Sequence, residues 1–223
     1  MSSKSFQIDL PDLGRFIHQA ALYPHLNEEG LNRICDTAKH LNFSGLCTNL
    51  IRIPTARKRL GTSCQTKLIA VISFPFGEMP SSIKRRQAEW AINEGAEELD
   101  IVPNYFALSQ NKTNLFAEEI SEISDLGLPT RVILDIGNLQ EEKLSLAVDA
   151  SIEAGVVGIQ TGNGFGPTIS KEQIKALSSL VRDRCSIKAT GGVKTHTHAI
   201  ELIQAGANQL GTSFGLELIQ GLK

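Results

Sequence analysis

The sequence predicts an α/β fold, a single-domain (β/α)8 TIM barrel, on three observations. Eight short apolar or β-branched runs alternate with amphipathic stretches in units of regular length. Each crossover returns the chain in the same direction, so the strands should pair in parallel. No Gly-x-Gly-x-x-Gly follows the first run, as it would in a dinucleotide-binding doubly wound sheet, the open arrangement of the same elements. Polar residues stand at the C-terminal ends of many different runs, where a closed barrel gathers its site.

The expected strands are Phe16–Leu22, Gly45–Thr48, Lys67–Phe74, Glu98–Val102, Arg131–Asp135, Val157–Thr161, Ser186–Ala189 and Gln209–Gly211. Expected helices are Asn27–Leu41, Ser81–Gly95, Leu115–Leu126, Glu141–Ala154, Lys171–Val181 and Thr195–Ala205. In Ser81–Gly95 the apolar residues Ile83, Ala88, Ala91 and Ile92 recur near helical spacing, and Gly95 suits the C-terminal cap. Leu144, Ala147, Val148 and Ala150 form the stripe of the next clear case, which ends at Gly155. Lys171–Val181 follows Ser170, a natural N-cap, with Gln173 at capping-box spacing.

A chain of 223 residues, 41% hydrophobic, can bury one full core. Residues 1–14 read as an N-terminal extension or short helix, without the apolar segment of a signal peptide. Formal net charge is −2 and no basic block stands out, which argues against nucleic acid or an anionic membrane as partner. No stretch reaches the roughly 18 apolar residues of a membrane span. The four cysteines (Cys35, Cys47, Cys64, Cys185) lack zinc or CxxC spacing and read as reduced thiols of a cytoplasmic protein. No base is apparent beside Cys47, so it does not read as a nucleophile. Barrels of this size often dimerise, although no patch demands it.

Alternate strand residues face the same way, so parity groups the polar ones. Glu98, Asp100 and Val102 share a face; so do Arg131, Ile133 and Asp135, then Gly158, Gln160 and Gly162, then Ser186, Lys188 and Thr190. If these faces point inward, Asp100, Arg131, Asp135, Gln160 and Lys188 converge near the barrel mouth. They would form either a site or a paired polar layer such as Asp100–Lys188, since buried charges need partners in any case. Three glycine-rich turns follow late strands: Thr161–Gly166, Gly191–Lys194 and Gly211–Gly215. Backbone N–H groups at such turns bind phosphate, and Lys194, Thr212 and Ser213 stand beside them. His18 falls in the first strand, where a lone histidine is usually structural. His196 and His198 point apart at H-x-H helical spacing, which argues against a metal.

In order and spacing, Gly45–Asn49, Val71–Gly77, Gly95–Val102, Arg131–Asp135, Gln160–Gly166, Lys188–Lys194 and Leu210–Ser213 resemble the deoxyribose-phosphate aldolase family. The resemblance runs from about Phe16 to Leu218. It implies a barrel of metal-independent, cofactor-free class I aldolases. These cleave 2-deoxyribose 5-phosphate to glyceraldehyde 3-phosphate and acetaldehyde through a lysine imine. By position, Asp100 looks like the family's proton-handling aspartate, and Lys188 like the second lysine, whose charge lowers the pKa of the reactive one. Gly164, Gly191, Gly192, Gly211 and Ser213 fall where the family binds phosphate. Arg131 stands for a lysine and Asp135 for a glutamate. The departures cluster at the site. Gln160 occupies the imine lysine's position, His18-Gln-Ala20 replaces an Asp-His-Thr-like segment, Tyr23 replaces a nearby lysine, and Phe214 a small residue.

An amide nitrogen, its lone pair delocalised into the carbonyl, cannot condense with an aldehyde. Two functions therefore fit. In one, the barrel binds a small phosphorylated sugar or aldehyde, or another protein, without catalysis, and Gln160 serves as a neutral hydrogen-bonding group. In the other, Lys188 forms the imine itself, with Asp100 as acid or base and a neighbouring cation such as Arg131 depressing the amine's pKa.

Overall fold

In the computed structural model, which describes residues 10–221, eight parallel strands close in sequence order into one barrel. The strands are β1 (Ile17–Ala21), β2 (Gly45–Thr48), β3 (Lys67–Ile72), β4 (Glu98–Ile101), β5 (Thr130–Ile133), β6 (Gly158–Gln160), β7 (Ser186–Thr190) and β8 (Gln209–Thr212). All eight expected strands are present, most of them shorter than the apolar runs that announced them. Around them lie α1 (Glu28–His40), α2 (Ile53–Leu60), α3 (Ser81–Asn93), α4 (Tyr105–Ser109), α5 (Thr113–Ser124), α6 (Glu141–Glu153), α7 (Lys171–Val181), α8 (His196–Gln204) and α9 (Gly215–Gln220). Residues 1–9 of the expected N-terminal extension lie outside the described residues, and Leu10–Phe16 form a 3-10 turn into β1.

Strand alternation sorts the side chains into two layers. Leu46, Leu68, Ala70, Ile72, Leu99, Ile101, Val132, Ile159, Ile187, Ala189 and Leu210 face outward and join the helices in one large apolar core. The barrel interior holds a much smaller apolar cluster of Cys47, Ile69 and Val71. Much of the rest of the inward face is polar, with Arg131, Gln160 and Lys188 its long buried side chains, and inward glycines make room for them. A methyl group on Gly158 would sit 2.3 Å from Ser186 Oγ and 3.0 Å from Arg131 Cγ. One on Gly211 would sit 2.4 Å from Thr190 Oγ1 and 3.1 Å from Lys188 Cε.

Local signals act where expected. The Ser170 hydroxyl accepts from the Gln173 N–H, and the Gln173 side chain accepts from the Ser170 N–H, completing the capping box of α7. Asn27 caps α1 by accepting from Gly30 N–H at 2.9 Å. In α3 the expected stripe is corrected. Ile83 is 43% exposed, while Lys84 is fully buried with Ala88 and Ala91. Lys84 Nζ donates to Glu119 at 2.7 Å and to the Val102 carbonyl at 3.0 Å, and Ser81 donates to the second Glu119 oxygen. Burial lowers the Lys84 pKa against the opposing pull of Glu119. Breaking such a pair strands a buried charge, whereas replacing both members with apolar residues need not. Lys84→Ala is therefore expected to cost about 3–5 kcal/mol in denaturant unfolding. The double change Lys84→Met with Glu119→Leu should restore most of that loss.

Candidate active site

Register brings the predicted residues together. Asp100 on β4 lies beside Arg131 on β5, and Gln160 on β6 lies beside Lys188 on β7. Inside the barrel Asp100 accepts from Arg131 Nε at 2.8 Å on one oxygen and from Lys188 Nζ at 2.5 Å on the other. Arg131 also donates to Glu98 at 2.5 Å, so two carboxylates alternate with two cations. Glu98 is a partner that parity placed on this face without assigning it a role.

Burial opposes ionisation of Asp100, but Arg131 and Lys188 overcome it and hold the carboxyl well below the usual carboxylate range. With both oxygens engaged by cations, Asp100 is an anchored counter-ion and a poor base. The carboxylates in turn raise Arg131 above its ordinary value despite its burial. Burial, reinforced by Lys188 and Arg131, keeps His18 well below the usual imidazole value, hence neutral. Burial also pushes the Cys47 thiol up to about 12, with its sulfur 3.7 Å from Asp100. Such a thiol supplies no thiolate at neutral pH.

Gln160 ends β6, and its Nε2 donates to the Gly162 carbonyl at 2.7 Å. That bond fixes which way the amide faces, because only nitrogen can approach a carbonyl oxygen so closely. The Oε1 atom is buried and has no protein partner, as is true of His18 Nδ1 and Thr190 Oγ1.

All three residues line a cavity of about 280 Å3 at the barrel mouth, together with Lys188. Gly164, Gly191, Gly192, Gly211 and Ser213 line the same cavity, as does Lys194, whose ammonium lies 5.5 Å from the centre of the Phe214 ring. Gly191 and Gly192 have φ of 118° and 66°, and a methyl group on Gly192 would sit 2.3 Å from Thr168 Oγ1. That turn accepts no side chain at Gly192. In the turn after β8 two backbone donors are already engaged: Phe214 N–H with Thr212 Oγ1, and Gly215 N–H with Gln19 Oε1. Gln19, which sequence reasoning left without a role, also grips the Ser213 carbonyl and so holds this turn in place.

Asp100 and Arg131 lie beneath the cavity and are not part of its wall; Lys188 connects the two layers. Asp135 also stands at the mouth, near Gly164, Thr190 and Gly191, but outside the wall of this cavity. It lines an adjoining groove of about 520 Å3 with Tyr105, Phe76 and Asn163, and Asn163 borders both. The Tyr105 hydroxyl holds this corner, donating to the Ile133 carbonyl and accepting from Asp135 N–H, each at 2.8 Å.

No protein-family model matches the chain. It is 32% identical to the deoxyribose-phosphate aldolase of Thermococcus kodakarensis over 216 residues, covering 94% of this chain and 96% of that one. With the deoxyribose-phosphate aldolase of Thermosynechococcus vestitus the identity is 36% over 213 residues, covering 95% and 98%. Among solved structures, the aldolase QR15 superposes with a TM-score of 0.89 at 33% identity, covering 94% of this chain and 95% of QR15. The tetrameric deoxyribose phosphate aldolase from Aeropyrum pernix gives 0.86 at 28% identity, covering 95% and 91%.

Proposed function

Because the chain belongs to the deoxyribose-phosphate aldolase family, we propose that it binds a small phosphorylated sugar or aldehyde at the barrel mouth without forming an imine. One observation carries this reading. The position at the end of β6 that the family resemblance assigns to the imine lysine holds an amide, pinned by the Gly162 carbonyl. In this reading the turns containing Gly164, Gly191, Gly192, Gly211 and Ser213 receive the phosphate, with Lys194 supplying charge at the rim. Gln160 and Lys188 face the other end of the ligand, and Arg131 and Asp100 hold Lys188 from below. No nucleic acid or membrane enters this reading, and no described helix is long and apolar enough to cross a membrane.

The second reading, an aldolase or lyase that uses Lys188 for the imine, is favoured by one fact: Lys188 lines the cavity beside Gln160. It requires the ammonium to give up a proton and leave its 2.5 Å contact with Asp100. The nearest acceptor is that same Asp100, whose carboxyl is held low and is therefore reluctant to take a proton. Imine formation would thus have to break this ion pair first, and binding without chemistry fits the geometry better.

Binding of 2-deoxyribose 5-phosphate is expected to raise Tm by roughly 5–10 °C at a hundredfold excess over Kd. The product of the family cleavage should not accumulate in the same samples. Absence of any shift with 2-deoxyribose 5-phosphate, glyceraldehyde 3-phosphate or inorganic phosphate would remove the binding site from the account.

A further inference from the structure

The floor of the cavity specifies more than phosphate binding. Gln160 is 5% exposed and His18 3%, and each carries a polar atom without a protein partner on a side chain that lines the cavity. The Gly162 carbonyl takes the amide nitrogen of Gln160, so the atom left for a ligand is Oε1, an acceptor. One strand away, in register, Lys188 presents an ammonium, which can only donate. A ligand atom lying between these two groups must donate to one and accept from the other. A hydroxyl does both. A free aldehyde oxygen only accepts, so it would satisfy Lys188 and leave Gln160 Oε1 buried without a donor, which carries a real free-energy cost. The neutral His18 ring can serve a second hydroxyl in either sense.

The geometry points to a ligand that presents a hydroxyl group at the barrel floor: a ring-closed or reduced sugar phosphate, and not an open-chain aldehyde. This inference rests on the proposed phosphosugar binding and narrows its ligand class. It also gives Gln160 a positive role, since the amide reads a hydrogen on oxygen, which a lysine in the same place would not.

The test is calorimetric titration of the full chain with two alditol phosphates. One is 2-deoxyribitol 5-phosphate, and the other is the same molecule with its terminal CH2OH replaced by CH3. The deoxy analogue is expected to bind about tenfold or more weakly, because its methyl group leaves Gln160 Oε1 unmet. In Gln160→Leu, whose cooperative thermal unfolding checks that it is folded, the two ligands should bind within about twofold of one another. Equal affinity of the unaltered protein for both alditols overturns the hydroxyl inference and leaves phosphate binding standing. Discrimination that persists in Gln160→Leu overturns the assignment to Gln160. Failure of both alditols and of inorganic phosphate to bind overturns the inference and the proposed function together.

Discussion

Gln160→Lys is expected to produce a borohydride-trapped adduct with acetaldehyde, and a rate of 2-deoxyribose 5-phosphate cleavage at least about a hundredfold above that of the unaltered protein. The introduced amine would start from the end of β6, in the wall of the cavity that already holds the glycine turns. Lys188 is its neighbour in register. A cation at that distance disfavours a second ammonium, so it lowers the pKa of the new amine and frees its lone pair, as imine formation requires. The gain has a ceiling. His18, Tyr23 and Phe214 also line this cavity, where the family resemblance implies other residues, so orientation of the substrate should stay imperfect. The measurement is intact mass after reduction, followed by peptide mapping and a coupled assay for the released aldehyde. A folded Gln160→Lys protein that traps nothing would show that a lysine at position 160 is not sufficient for imine chemistry in this barrel.

The second large effect concerns stability. Asp100→Ala is expected to cost about 3–5 kcal/mol and to lower Tm by roughly 10–15 °C at neutral pH. Removing this carboxylate leaves Arg131 and Lys188, both about 2% exposed, with Glu98 as the remaining anion of the network. Asp100→Asn should lose most of the same stability, since an amide fills the space without the charge. The deficit depends on pH in a defined direction. The folded-state pKa of Asp100 lies below its ordinary value of 3.8, so its contribution is complete above that value. It is lost as pH falls below the ordinary value toward the depressed one, when the folded protein must take up the proton that the unfolded chain already holds. The difference between the unaltered protein and Asp100→Ala should therefore be full at pH 6–8 and shrink below about pH 4. A constant difference down to pH 2.5 would contradict the assignment of Asp100 as the anion of the network.

Much of this site was legible from strand parity. Counting alternate residues places Asp100, Arg131, Gln160 and Lys188 on inward faces, and the register joins them as pairs. Asp135 keeps the inward parity, since Leu134 and Ile136 on either side of it join the outer core, but it opens onto the groove beside Tyr105 and not into the wall of the cavity that holds Gln160 and Lys188. Helix periodicity fails at Ile83. The residue that makes burial of Lys84 tolerable is Glu119 on α5, and a local hydrophobic pattern carries no trace of a partner 35 positions away. The helices that periodicity passed over, α2, α4 and α9, have eight, five and six residues, too few turns to form a stripe. The glycines were read as phosphate turns. For Gly211 the structure adds a second reason, the space taken by Lys188 and Thr190, and Gly158, which had no assigned role, makes the same kind of room for Arg131 and Ser186. That requirement arises only when the barrel closes.

The direct test of the account is intact-protein mass spectrometry of the unaltered chain after borohydride reduction, with acetaldehyde and separately with 2-deoxyribose 5-phosphate. An unmodified mass is expected in both samples, because the amide of Gln160 cannot condense and Lys188 Nζ is paired with Asp100. A reduced adduct that maps to Lys188 would contradict it and establish an aldolase whose imine has moved to the neighbouring strand.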